Sequence, residues 1–483
     1  MMLHSRLRTL ALGASLLLCH AAGMATGEEP LSQAKVVSAM RQAAGFYRSQ
    51  AARHGGYVYY YSLDLSQRWG EGPAEPDQIW VQPPGTPTVG MAYLAAWEAT
   101  GDRFYLEAAQ EAAEALVYGQ LHSGGWSNSI DMQGRSRGDQ YSGGSRRREG
   151  TTSLDDGQTQ SAILFLIRAD KALDFQHDGI HRAALSSLKA LLAAQFPSGG
   201  FPQGWKAPVP GQPVRQASYP DYDWRTAGRI KNYWDMYTLN DNVCGYVADV
   251  LITAGEVYQQ DAYRQALARL GDFLILAQMP DPQPAWAQQY NYDMHPVWAR
   301  KFEPPAIAGD ESQEVIETLL KISIATGDRK YLEPIPRALA WLKKSRLPDG
   351  RLARYYELRT NKPLYMVRQS KSSYALTYDD SNLPSHYGWK WDSRIPQLEQ
   401  RYLALKAGRP APVAADENLS RQASQLVQSL DEQGRWISTY DGQPLVGQPR
   451  FPLHSQFLSS EVFSRNLTFL AGRLAASARG TQN

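Results

Sequence analysis

The chain has 483 residues and a formal net charge of +2, from 50 basic and 48 acidic side chains. This near balance disfavours a nucleic-acid binder, and it means that an acidic polymer must be held by a local cluster of charges. Only two cysteines are present, and one lies in the leader described next, so the remainder has neither an internal disulfide nor a thiolate metal site.

The first 25 residues have the layout of a secretory signal peptide. Arg6 and Arg8 precede an apolar run at positions 10–18, and mostly small residues follow at positions 21–25. Removal of residues 1–25 also removes these two arginines and brings the net charge to zero. We therefore predict a secreted or periplasmic protein, with a single domain over residues 26–483 and no membrane attachment after the leader is removed.

Similar turns recur along the chain and point to a helical repeat. They lie at residues 55–57, 124–126, 199–201, 349–351 and 433–435, with a divergent copy at 284–286. Pairs of amphipathic helices fill the intervals, and Gly followed by an acidic residue separates the two helices at 101–102, 255–256 and 327–328. The pattern predicts an all-α fold, an α/α toroid that is an incomplete barrel of helical hairpins with long loops and short strands at one rim. A final helix pair is predicted at about 414–480.

Two acidic motifs interrupt this helical pattern, Leu154-Asp155-Asp156-Gly157 and Asn240-Asp241-Asn242. Each stands at a predicted helix start, where a carboxylate commonly caps the helix, so simple N-caps are one interpretation. Each also follows a repeat turn by a similar interval, so the carboxylates could meet at one rim of the toroid. Oxygen ligands of this kind suit Ca²⁺ better than Zn²⁺ or Mg²⁺, because no histidine or thiolate accompanies them.

Two basic motifs lie in later loops. Arg300 and Lys301 fall in Ala299-Arg300-Lys301-Phe302-Glu303, and Arg368 precedes Lys371. An arginine offers a planar fork to a carboxylate, although a surface charge or a salt bridge is the ordinary role. Aromatic residues in the turns could form a platform for sugar rings or could fill the toroid interior; these are Trp126, Phe201, Trp286, and Tyr387 with Trp389.

Taken together, these motifs resemble the pectate lyases of polysaccharide lyase family 10, over a lyase-like core at about 121–392. That family's Gly-Gly-Trp turn is similar to residues 124–126, and its Gly-x-x-Pro-Gln turn is similar to residues 199–203. The family's Ile-Asp-Asn-Gly-Ala-Thr, Thr-Phe-Asn-Asp and Ala-Arg-x-(Phe/Tyr)-Glu motifs resemble residues 154–159, 238–241 and 299–303. This sequence departs from the family at Ser127-Asn128, where the family has Pro-Lys, and at Asp156, where it has Asn.

The resemblance implies a function and a role for each residue. It implies a secreted, calcium-dependent pectate lyase that cleaves polygalacturonate by β-elimination, acting as a monomer. Arg300 would be the catalytic base, and the metal would lie near Asp155, Asp241 and the adjacent Asp156. Expected substrate contacts are Arg368, Lys371, Lys301, Trp126, Asn240, Trp286 and Tyr387. A glycoside hydrolase that uses two of the aspartates, or a non-catalytic glycan-binding toroid, remains the alternative.

Overall fold

The computed structural model describes residues 31–133, 150–226, 233–371, 373–409, 419–447 and 449–480. The predicted leader at 1–25 lies outside these residues. Within them, every helix is too short or too polar to pass through a bilayer. Cys244 is buried and reduced.

Helices make up most of this part of the chain. In chain order they are α1 Gln33–Phe46, which continues into a π-helical turn at Tyr47–Ala51, α2 Thr86–Thr100, α3 Arg103–Gly119, α4 Gln158–Ala172, α5 Asp178–Ala193, α6 Val243–Tyr258, α7 Asp261–Leu276, α8 Gly309–Thr326, α9 Ile335–Lys344, α10 Ile395–Lys406, α11 Leu419–Gln428 and α12 Ser460–Gly480.

The helices form an incomplete α/α toroid, as predicted. An inner series of contacts runs from α12 through α2, α4, α6 and α8 to α10, and the outer helices α3, α5, α7 and α9 each pack on the inner helix that precedes them. In α3 the buried residues Tyr105, Ala108, Ala112 and Leu116 recur every three or four positions, which gives one face to bury against the inner ring. One cluster of buried apolar side chains extends from Val36 to Leu474.

The recurring glycine turns connect each outer helix to the next rim segment. The first glycine of these turns is left-handed, with φ of 81° at Gly55, 94° at Gly124 and 98° at Gly199. At Gly199 a Cβ atom would come within 1.9 Å of the carbonyl oxygen of Arg269 on α7. Glycine is therefore required both by the backbone conformation and by the close approach of the neighbouring outer helix.

Two of the three predicted helix separations are confirmed. Gly101 and Gly327 are left-handed C-caps, and the following Asp102 and Asp328 accept hydrogen bonds from backbone amides of the next helical segment. The third prediction, at residues 253–256, is wrong, because α6 continues through Gly255 and closes at Gln259 with φ of 54°. Residues beyond Gly255 still pack against the core, and this burial outweighs the cost of about 1 kcal/mol for a helical glycine.

Short antiparallel strands gather at one rim, where the chain enters the inner helices. They form the pairs β3 Gln78–Trp80 with β4 Ser129–Asp131, β5 Thr152–Ser153 with β6 Gly204–Trp205, β7 Tyr237–Thr238 with β8 Gln289–Tyr290, and β10 Leu352–Ala353 with β14 Lys390–Trp391. A four-stranded sheet has the order β13 Tyr374–Thr377, β12 Pro363–Arg368, β11 Tyr355–Tyr356, β9 Ile307–Ala308. A second has the order β15 Ile437–Thr439, β16 Gln456–Ser459, β1 Tyr60–Ser62, β2 Arg68–Trp69.

The rim strands determine where the candidate site residues lie, because they precede the inner helices in the sequence. β5 leads into the segment before α4, β7 leads into the segment before α6, and β9 leads directly into α8. Since α4, α6 and α8 are neighbours in the inner ring, the residues at their N-terminal ends are brought close together. In the region of the predicted C-terminal helix pair, the described residues form α11 and α12, with β15 and β16 between them in the sequence. Helix α12 packs on α1 and α2.

Candidate active site

Two matched turns carry the aspartates. Residues 155–157 and 240–242 each form a single 3-10 turn between a rim strand and an inner helix. Asp156 and Asp241 occupy the same position in these turns, with left-handed φ of 45° and 52°. A non-glycine residue in this conformation costs about 1 kcal/mol or more, so its presence at the same position of both turns indicates a functional constraint.

The three carboxylates converge. Asp155, Asp156 and Asp241 each offer an oxygen, and these oxygens lie within 4.8 Å of one another. None of them caps α4 or α6, which rejects the N-cap interpretation. The carboxylates instead accept hydrogen bonds from side-chain amides that orient them. The donors are Gln203 to Asp155 at 2.6 Å, Gln82 to Asp156 at 3.1 Å, and Asn240 to Asp241.

The clustering of negative charge opposes full ionisation. Burial, together with repulsion from Asp155 and Glu71, raises the pKa of Asp156 to about 6, although part of its surface remains exposed. Burial and repulsion from Asp155 and Asp156 raise the pKa of Asp241 well above its usual value. The positive charge of Arg300 opposes both shifts, which places this guanidinium close to the aspartates.

The donor set fits a hard divalent cation. All three side chains offer carboxylate oxygens, which Ca²⁺ prefers, and a bound cation would relieve their mutual repulsion. The buried Oε1 of Gln203, the residue that holds Asp155, has no hydrogen-bond partner among the residues that the structure describes. The site therefore has the negative charge and the carboxylate oxygens that a calcium ion would use.

Arg300 forms an ion pair with Glu303, which lies three residues further along the same loop. Its Nη2 and Nε lie 2.6 Å and 2.8 Å from Oε1 of Glu303, while the backbone amide of Arg300 donates to Oε2 at 2.8 Å. Glu303 is buried, and the hydroxyl of Tyr387 also donates to it, at 2.8 Å. Burial opposes the charge on both groups, yet their attraction prevails, so the pKa of Arg300 is raised and that of Glu303 is lowered.

Arg354 is a site residue that the sequence interpretation missed. It is buried, and its Nη2 lies 3.1 Å from Oδ1 of Asn240 and 3.1 Å from Oε1 of Glu311. Its guanidinium carbon lies 4.3 Å from the centre of the Tyr387 ring. Arg354 thereby fixes Asn240, which in turn orients Asp241. The available signal was a lone arginine inside the apolar run Leu352-Ala353-Arg354-Tyr355-Tyr356.

An acidic wall borders the aspartates on one side. A cavity of about 840 Å³ is lined by Asp156 and Asp241 together with Glu71 and Glu314. Gln82 donates to both Glu71 and Asp156 at 3.1 Å, so the loop that carries Glu71 is tied to the aspartates. The side-chain amide of Asn128 donates to Glu71 at 3.3 Å. The pectate lyases that the sequence resembles have lysine at this position. Without a bound cation, this acidic cavity therefore disfavours an anionic chain.

The predicted substrate arginine does not line the acidic cavity. Arg368 is exposed at the end of β12 and donates to the carbonyl groups of Ser370 and Lys371 at 3.3 Å. Burial and the positive charges of Arg368 and Arg300 together lower the pKa of His386, so both guanidinium groups lie near this ring. Lys301 and Lys371 are exposed, and neither forms an ion pair within the described ranges.

Three predicted substrate contacts need correction. Trp126 and Trp286 are both 0% exposed, and their indole nitrogens donate to the carbonyl groups of Leu116 and Leu274 inside the toroid. They fill the interior beneath the rim turns, so the sugar-platform prediction is wrong for both. Asn240 is buried beneath Asp241 and acts on that carboxylate, away from the cleft surface. Tyr387 is half-buried beside Arg300 and remains a candidate contact.

The order and geometry of these residues agree with a known family. Residues 120–353 match the family model described as pectic acid lyase. The match covers just under half of the chain, which over these residues is similar to the pectic acid lyase family. The matched region contains Asp155, Asp156, Asp241 and Arg300, and the similarity supports a polysaccharide lyase. Arg354 and Glu71 lie outside the matched region of this lyase.

Comparisons with other proteins give more distant similarities. No curated protein sequence matches the lyase. A solved family 10 polysaccharide lyase from Cellvibrio cellulosa is 19% identical, with 67% of this chain and 97% of that chain covered and a TM-score of 0.45. A mutant of a family 10 lyase from that organism was solved with trigalacturonic acid, and its identity and TM-score are also 19% and 0.45, over 67% of this chain and 98% of that one. Cellobiose 2-epimerase from Bacillus thermoamylovorans is 13% identical, with 92% and 100% covered and a TM-score of 0.46.

Proposed function

We propose that the chain is an exported, calcium-dependent pectate lyase that cleaves polygalacturonate by β-elimination. The observation that carries the proposal is the convergence of three aspartate carboxylates beside Arg300, within the region that matches the pectic acid lyase family. The cations near the aspartates support an acidic substrate, because the positive charges of Arg300 and Arg354 both act on the carboxyl group of Asp156. The leader-like pattern at 1–25 supports export.

Each residue of the cleft has a role in this proposal. Asp155, Asp156 and Asp241 would hold Ca²⁺, which neutralises the substrate carboxylate and stabilises the charge that develops when the C5–H bond breaks. Asn240 and Gln203 keep two of these carboxylates in place. Arg300 lies beside them and is the candidate base for the C5 proton. Arg368 and the exposed Lys371 and Lys301 would bind neighbouring carboxylates of the polymer.

The protonation state of Arg300 sets the conditions for this chemistry. Glu303 raises the pKa of Arg300, so the guanidinium is a cation while that contact persists. An arginine can accept the C5 proton only in its neutral form, and the contact therefore shifts activity towards alkaline pH. Tyr387 also hydrogen-bonds Glu303 and offers that carboxylate a second partner if Arg300 turns to the substrate.

A Glu303→Gln variant tests whether Arg300 works as a base. Removal of the negative charge is expected to lower the pKa of Arg300, so the rise of kcat/KM with pH should move to lower pH by about one unit. The measurement is a pH–rate profile of the variant against the wild type. An unshifted profile with a uniformly lower rate would mean that Arg300 acts only as a fixed cation.

Calcium binding should become more stabilising as pH rises. The pKa of Asp156 is about 6 in the folded chain, against 3.8 for an unperturbed aspartate, so the folded state holds more protons between these values. Without metal, stability therefore falls as pH rises through this range. We expect the increase in Tm on calcium addition to be larger at about pH 8 than at about pH 5, by thermal unfolding. An equal increase at both values would contradict a site built on these carboxylates.

One assay separates this function from its alternatives. Purified protein is incubated with polygalacturonate, with calcium or with a chelator, and the ultraviolet absorbance of the unsaturated product is followed. An absorbance increase that the chelator abolishes is the expected result. New reducing ends without absorbance would indicate a hydrolase, and binding without cleavage would indicate a glycan-binding toroid. The aspartates favour the lyase over an inverting hydrolase, because their oxygens lie within 4.8 Å and such a hydrolase separates its carboxyl groups by about 6.5–9.5 Å.

A further inference from the structure

A second cavity, which we name the outer groove, lies on the outer wall of the toroid. It has a volume of about 680 Å³ and lies between the end of α3 and one face of α5. Its lining residues include the basic side chains Arg182, Lys189 and Lys206, with His122 at the side, and no lining residue is acidic. The outer groove therefore has one sign of charge, opposite to that of the acidic wall in the catalytic cleft.

The cations of the outer groove are spaced along one line. Arg182 and Lys189 are seven residues apart on α5, which places them on the same helix face about 10 Å apart along its axis. Ser186, between them, also lines the outer groove. A groove with two cations at successive points along one helix face matches a polymer that carries a carboxylate on each sugar.

These cations are not neutralised by acidic neighbours. Arg182, Lys189 and Lys206 are exposed, and none forms an ion pair with any residue that the structure describes. Cations around the neighbouring outer helices are paired instead. Arg48 contacts Glu111 of α3 at 2.7 Å, and Lys330 contacts Asp272 of α7 at 2.7 Å. Arg182 and Lys189 therefore keep their charge available to an anion from outside the chain, as far as the described residues show.

The outer groove is also connected to the catalytic aspartates. Trp205 and Lys206 line the outer groove and a smaller cavity of about 320 Å³ beside it. Gln203 lines that smaller cavity and donates to Asp155 at 2.6 Å. β6, which ends at Trp205, pairs with β5 immediately before the aspartate turn. A chain in the outer groove could therefore continue towards the catalytic cleft along the rim.

We propose that the outer groove is a docking site for the anionic polysaccharide, separate from the catalytic cleft. This proposal rests on the proposed function for the identity of the polymer, polygalacturonate. Arg182 and Lys189 bind carboxylates of one polygalacturonate chain. Another part of the same polysaccharide chain passes Lys206 and enters the catalytic cleft. The groove thereby raises affinity for long chains, while a trisaccharide is too short to occupy both places.

The test is a binding measurement on the full chain without turnover. The dissociation constant for polygalacturonate is measured by calorimetry in the presence of a chelator, for the wild type and for Arg182→Gln/Lys189→Gln. We expect the affinity of the double variant to fall about fivefold or more, because two exposed cation–carboxylate pairs are lost. The control is Lys344→Gln/Arg346→Gln, two exposed cations outside the cavities described above, and its affinity should equal that of the wild type. Circular dichroism verifies the fold of both variants.

The outcomes separate this proposal from the proposed function. No detectable polymer binding by the wild type, an unchanged affinity in the Arg182/Lys189 variant, or an equal loss in the control would overturn the docking site. Loss of affinity in the groove variant alone supports it, and an added test is that neutral dextran does not compete. A protein that binds through the outer groove but yields no unsaturated product would keep the docking site and refute the lyase proposal.

Discussion

Replacing Arg300 by alanine is expected to lower kcat on polygalacturonate by about 1,000-fold, the middle of the range for loss of a positioned acid or base. The positive charge of Arg300 opposes the raised pKa values of both Asp156 and Asp241, and its guanidinium contacts Glu303 through two nitrogens. Alanine removes both the proton acceptor and the positive charge beside the substrate carboxylate. The measurement is the initial rate of unsaturated product at saturating substrate and calcium.

Two controls separate chemistry from folding. The variant leaves Glu303 buried without its cation, which itself destabilises the loop, so Arg300→Ala/Glu303→Gln removes the unpaired charge. This double variant should fold like the wild type and remain as inactive as the single variant. Arg264→Ala on α7 removes an exposed arginine paired with Asp261 and should retain full activity. Recovery of activity in the double variant would show that Arg300 has only a structural role.

Replacing Asp241 by asparagine should cost about 100-fold or more in kcat at low calcium, a loss typical of removing one electrostatic group from a reaction centre. The substitution removes one of three converging carboxylates while it keeps the size of the side chain. It also removes a buried carboxyl group whose pKa is raised by burial and by repulsion from Asp155 and Asp156, so the apo protein should become more stable. We expect higher Tm without calcium and a smaller increase on calcium addition.

The matched control for this variant is Asp249→Asn. Asp249 lies further along α6, where its carboxylate contacts Lys321 at 2.9 Å, away from the aspartate cluster. Its replacement should leave both the rate and the calcium dependence unchanged. If Asp241→Asn kept the calcium-induced rise in Tm and the wild-type rate, the three aspartates would not be the metal site.

Local signals in the sequence were sufficient for the architecture. The left-handed glycines at 101 and 327 require a specific backbone conformation, and their capping role is visible without tertiary structure. At Gly255 the same signal failed, because packing of residues beyond it decided the length of α6. A propensity of about 1 kcal/mol is easily outweighed by burial of one apolar side chain.

The candidate site was predictable where the repeat itself places residues. Asp156 and Asp241 occupy equivalent positions at the starts of adjacent helical hairpins. The repeat itself therefore brings their carboxylates close together. Glu71 and Arg354 could not be found this way. Glu71 is linked to Asp156 through Gln82, which lies 74 residues before that aspartate, and Arg354 contacts Asn240 across 114 residues. Trp126 was misassigned because the sequence does not reveal on which side of a rim turn an aromatic ring packs.

The most direct test of the central claim is the fate of solvent oxygen during cleavage. The wild-type protein digests polygalacturonate with calcium in water enriched in the heavy isotope of oxygen. The masses of the products are then measured by mass spectrometry. Elimination at the Asp155–Asp156–Asp241 site predicts unsaturated products that are one water lighter than hydrolysis products and carry no heavy oxygen from the cut. Saturated products with one heavy oxygen per cleaved bond would contradict it.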